Sequence, residues 1–145
     1  VTTQGGDVEG NSGLRLLIDE VRRAPDRVVL PFLRSLRSRR HDVATVLDGR
    51  SLRVEVVLVG ERRHVYRVVF APSGHVELAG AYGFDPHLRF EGTPERLFGV
   101  LLGTLDTFSA VYDEVLTLYF PPDELVHYPR VRRLLAEQVE VCPSR

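Results

Sequence analysis

With 145 residues, 43% hydrophobic and 27% charged, the chain has the size and composition of one globular domain with a single core. A formal net charge of -1 argues against a protein whose main partner is nucleic acid, and no apolar run approaches the roughly 20 residues that span a bilayer. The single cysteine, Cys142, excludes an internal disulfide framework and fits a reducing compartment, so a cytoplasmic location is expected.

Residues 1–13 (VTTQGGDVEGNSG) are polar and glycine-rich and read as a flexible tail, leaving 14–145 as the single domain. Leu14, Leu17, Ile18 and Val21 recur at helical spacing, and Ala24-Pro25 stops that helix at Arg23. A second helix is expected from about Pro31 to Arg40. It ends in a basic run of Arg34, Arg37, Arg39, Arg40 and His41. That run reads either as an anion site for a phosphate or lipid head group, or as a solvated face whose cations suit a helix C-terminus.

From Val46 the period changes to two. Arg50 to Val59 sets Leu52, Val54, Val56 and Leu58 against Arg53, Glu55 and Val57, the mark of a strand with one buried face. His64 to Ala71 and His75 to Tyr82 follow after short turns, and connections this short require antiparallel hairpins. Leu88 to Glu91 makes a fourth strand and Val115 to Phe120 a fifth. Pro122 to Val139 supplies a last helix, kinked or divided by Pro129. The expected fold class is α+β, with about five largely antiparallel strands covered by helices.

The centre of this plan is Thr93 to Leu118. Thr93 is placed to cap a helix with Pro94 at its first position, and Gly103 to end it in a left-handed turn. Leu97, Phe98, Val100, Leu101 and Leu102 make that helix apolar almost all round, so it must be buried on several sides or line a cavity. The continuation, GTLDTFSAVYDEVLTL, resembles the C-terminal signature of the sterol carrier protein type 2 family at Gly103, Leu105, Asp106, Ala110, Leu116 and Leu118. The resemblance extends over roughly Leu47 to Ala136. It implies a sheet covered by helices, with an apolar tunnel between them for sterols, fatty acids or acyl-CoA. Two positions depart from it: Glu114 and Phe120 stand where the family usually has glycine. Phe120 is a candidate plug for the tunnel, and Glu114 a candidate for an arginine contact that would close its mouth.

Catalytic and metal chemistry find little support. His41, His64, His75, His87 and His127 show no ligand spacing, there is no CxxC and no GxSxG, and every one of the 19 basic residues is arginine. The expectation is therefore a non-enzymatic binding protein without cofactor or metal, taking a lipid or other long apolar molecule, with no nucleic-acid partner and no stable membrane insertion. Candidate wall residues are Phe98, Leu101, Leu102, Phe108, Val111, Tyr112, Leu116 and Leu118, with Tyr112 and Tyr119 as polar handles and Arg40 or Arg130 for a charged head group. The alternative is a structural or interaction module, such as a homodimer, that keeps the fold but has filled the tunnel.

Overall fold

A computed structural model describes the backbone of residues 2–141 and the side chains of residues 13–140; Cys142 and Pro143 lie outside the described residues. Helix α1, Thr2–Arg23, starts well before Leu14, so helical backbone occupies most of the stretch expected as a tail. Its C-terminal half turns Val21 into the core, and only Ala24 separates it from α2, Pro25–Ser35. The second helix thus begins at Pro25 instead of Pro31. Pro25 takes the first helical position, where its missing N–H costs nothing. Pro31 falls inside the helix, where it removes one i to i-4 bond. Packing of Val28, Val29, Phe32 and Leu33 against the core holds the helix together across that gap.

A 3-10 segment, Leu36–Arg39, leads into α3, Arg40–Leu47, an element the change of period at Val46 does not reveal. Leu36, Val43 and Leu47, all fully buried, anchor this stretch. It closes at Asp48 and Gly49, both with positive φ (51° and 80°).

Strands β1 (Leu52–Val59), β2 (Arg63–Phe70) and β3 (Val76–Leu78) form the expected antiparallel meander. Strand β4 (Leu88–Gly92) then crosses to the far side of β1 and pairs with it in parallel, and β5 (Leu116–Leu118) adds antiparallel to β4. The sheet is mixed but mostly antiparallel, in the order β3-β2-β1-β4-β5. Residues opposite one another in the register share a face. Tyr66, Val56, Phe90 and Leu116 therefore form one row across the inner face, and Val68, Val54, Leu88 and Leu118 the next.

On the outer face Glu55 accepts from Arg67 Nε and Arg89 Nε, both at 3.0 Å, and Glu91 pairs with Arg89 and Arg63. One glutamate on β1 thus ties β2 and β4 to it. The glycine of the β2–β3 turn is equally constrained: Gly74 has φ 89°, and a Cβ there would sit 2.0 Å from the carbonyl oxygen of Arg40.

The Thr93 segment folds as its caps predict. Helix α4 is Pro94–Leu102, with Thr93 accepting from the Arg96 N–H and Gly103 left-handed at φ 84°. Asp106 caps α5, Thr107–Tyr112, through a 2.8 Å bond from the Ser109 N–H. After β5 a 3-10 turn, Pro122–Leu125, precedes α6, Tyr128–Val141. Pro129 sits in the first turn of α6, so the last helical stretch is divided just before it.

Candidate functional site

Between the inner face of the sheet and the helices α1, α2, α4 and α6 lies a cavity of about 800 Å³. Its floor is the buried alternation of β1, Leu52, Val54, Val56 and Leu58, continued by Tyr66 and Val68 on β2 and Phe90 on β4. Val28, Phe32 and Leu33 of α2 and Phe98 and Leu101 of α4 close over it, with Val131 and Leu135 of α6. At roughly 30 Å³ per water-sized group this space holds on the order of 25 non-hydrogen atoms.

Few polar groups reach the wall. Glu20 and Arg27 lie on it at α1 and α2, where exposed Leu16, Arg27 and Pro31 mark the solvent side. Glu20 is paired with Arg23 at 2.7 Å. The Tyr66 hydroxyl donates to the Asp26 carboxylate; burial, then that carboxylate, pushes the phenol pKa upward. Arg132 donates from Nη1 to the Leu101 carbonyl at 2.7 Å. Tyr128 is 8% exposed, and its buried hydroxyl has no partner among the described residues. Burial pushes this phenol up to about 12, against the opposing charge of Arg132.

Of the eight candidate wall residues, the structure places Phe98 and Leu101 on the cavity. The other six lie elsewhere. Leu102 is half-buried on α4, off the cavity wall. Phe108 and Tyr112, one turn apart on α5, are 84% and 83% exposed, and Val111 is exposed beside them. This short helix buries Ala110 and turns its large side chains outward, so apolar identity alone misplaces them. Leu116 is fully buried and Leu118 packs on the core, both one strand beyond Phe90 and clear of the cavity. The polar handles also change. Tyr119 and Tyr112 are exposed, whereas Tyr66 and Tyr128 are buried in the wall. Arg40 and Arg130 are exposed off the cavity, and Arg27 and Arg132 take their place on it. Arg132 was legible only as one arginine of several on the last helix; its position depends on how α6 meets α4.

Among solved structures the chain is similar to the sterol carrier protein domain 2 of Helicoverpa armigera, with a TM-score of 0.52 at 14% identity, covering 75% of this chain and 88% of that one. This chain has the sterol carrier protein 2 fold. No protein-family model matches the sequence, and no curated protein matches it.

The two departures from the sterol carrier pattern can now be located. Glu114 has a left-handed backbone, φ 62°, of the kind glycine adopts most readily, and is exposed with no ion pair among the described residues. It closes nothing. Phe120 lies off the cavity wall, partly buried against the core, with its ring 4.7 Å from that of His87.

His87 Nδ1 accepts from the Arg53 N–H at 2.9 Å, which fixes its neutral form, and burial followed by Arg53 lowers its pKa. His127, 5% exposed, has both ring nitrogens without a hydrogen-bond partner among the described residues; burial lowers its pKa, outweighing the nearby Ser51 backbone. His127 adds to the lowering at His87. Among the described residues no group of three or more His, Cys, Asp or Glu is placed to hold a metal, and no helix is long and apolar enough to cross a membrane.

Proposed function

We propose that the chain binds a lipid or other long apolar ligand in the cavity between sheet and helices, without catalysing a reaction. The observation that carries this reading is an 800 Å³ space walled mainly by leucine, valine and phenylalanine. The likeness to a sterol carrier protein domain supports it. Taking apolar ligand surface out of water is worth roughly 25 cal/mol per Å² before ordering costs, enough for micromolar binding by a molecule of this size. Delipidated protein titrated with a fluorescent fatty acid and with a fluorescent sterol gives saturable binding to at least one of them. A flat titration with both removes the proposal.

A second reading is a ligand-free interaction module, and the exposed Phe108 and Tyr112 of α5 favour it, since two such rings side by side suit a contact with another protein surface. Native mass spectrometry separates the two readings: co-purifying lipid on a monomer supports the first, an empty dimer the second.

A further inference from the structure

The helices that close the cavity on the side away from the sheet are held unequally. Helix α2 packs Phe32 and Leu33 against the core, α4 packs Phe98 and Val100, and α6 packs Val131 and Leu134. Helix α1 puts only Val21 into the core among the described residues; its Leu17 borders the cavity, and its Leu16 is 71% exposed. A single residue, Ala24, joins α1 to α2, and its φ of -148° and ψ of 75° are not helical. Beyond that joint, one ion pair among the described residues ties α1 to another element, from Arg22 to Glu95 in the first turn of α4. The Asp19–Arg22 and Glu20–Arg23 pairs lie within α1 and cannot hold it down. A backbone hydrogen bond, and after it Arg22, holds the Glu95 carboxyl below its ordinary value, so the pair is charged at neutral pH. Both of its side chains are half-exposed, and a solvated pair of this kind is weak and sensitive to salt. Neither Arg22 nor Ala24 belongs to the Leu47 to Ala136 stretch that carries the sterol carrier resemblance.

We propose, building on the ligand-binding reading above, that residues 14–23 of α1 are the gate of the cavity, turning about Ala24 to admit and release ligand, and that the Arg22–Glu95 pair latches this gate shut. A helix joined through one non-helical residue moves as a body, because a few dihedral angles at the joint absorb the change. Moving α1 takes Leu17 and Val21 off the wall and gives up fewer core contacts than moving α2, α4 or α6. The latch acts on the population of the open state. It therefore sets how often ligand passes in either direction, and leaves the affinity of the closed cavity as it is.

The test is stopped-flow mixing of delipidated protein with the fluorescent probe N-phenyl-1-naphthylamine, which has no charge of its own to respond to salt. Arg22→Gln and Glu95→Gln each raise the entry and exit rates together, by about two- to fivefold, while the dissociation constant stays within about twofold of wild type. The double variant is no faster than the single ones, since all three break the same pair. Sodium chloride at about 0.5 M speeds the wild type and leaves these variants unchanged. Arg23→Gln, which breaks a pair inside α1 only, keeps the wild-type rates. Without any ligand, amide hydrogen exchange over residues 14–23 is faster in Arg22→Gln than in wild type. Probe rates that do not move, or that move equally in Arg23→Gln, overturn the gate and leave the ligand-binding proposal standing. Faster exchange in α1 with unchanged probe kinetics does the same. Absence of saturable probe binding removes the ligand-binding proposal and the gate with it.

Discussion

Val56→Phe tests the central physical statement, that there is room above the middle of β1. Val56 stands in register between Tyr66 on β2 and Phe90 on β4, and all three line the cavity. Phenylalanine adds four carbon atoms at this point. At about 0.8 kcal/mol per buried carbon the gain is at most about 3 kcal/mol. Side-chain ordering and incomplete contact in a space larger than the ring remove roughly half of it. The expected result is a stabilisation of about 1–2 kcal/mol, seen as a melting temperature higher by roughly 3–6 °C for a domain of this size. In a solid core the same change has the opposite sign, because overpacking costs about 1–3 kcal/mol. Thermal melts of delipidated protein decide the sign, and probe titration reports the accompanying loss of ligand capacity. A destabilised variant that still binds its ligand fully refutes the placement of the cavity above Val56.

Three further outcomes follow from particular residues. Glu114→Gly relieves a left-handed backbone worth about 1 kcal/mol, partly offset by greater chain entropy in the unfolded state, so its urea midpoint rises or stays level; a clear fall contradicts the φ of 62°. Gly74→Ala places a methyl group against the Arg40 carbonyl and costs more than about 2 kcal/mol, measured by chemical denaturation, and a neutral substitution there would show that the turn does not sit on α3. His87 and His127 both have folded pKa values below the ordinary histidine value, so below about pH 6.5 the unfolded chain binds more protons than the folded one. The stability they contribute is complete above that pH and is lost as pH falls toward their folded values. Urea midpoints drop between pH 7 and pH 5 and drop less in His127→Phe; an unchanged midpoint over that window contradicts their burial as neutral rings.

The sequence determined those features that rest on local physics. The alternation from Leu52 to Leu58 fixed which face of β1 is apolar, and that face became the cavity floor. Short connections fixed the β1-β2-β3 meander, and Thr93 with Gly103 fixed both ends of α4. Each depends on neighbours a few residues apart. Helix α3 and the early start of α2 were hidden because proline and a change of period mark a break without saying what packing will tolerate.

The tertiary structure alone decided which apolar residues face a void. Phe98 and Phe108 are equally apolar, yet α4 lies over the sheet and α5 turns Phe108 to solvent. The parallel pairing of β4 with β1, two residues far apart in sequence at every rung, set the depth of the floor. The meeting of α4 with α6 put Arg132 and Tyr128 on the wall. A side chain's apolar character is its own, but whether it meets another side chain, water or empty space depends on elements that the chain brings together from a distance.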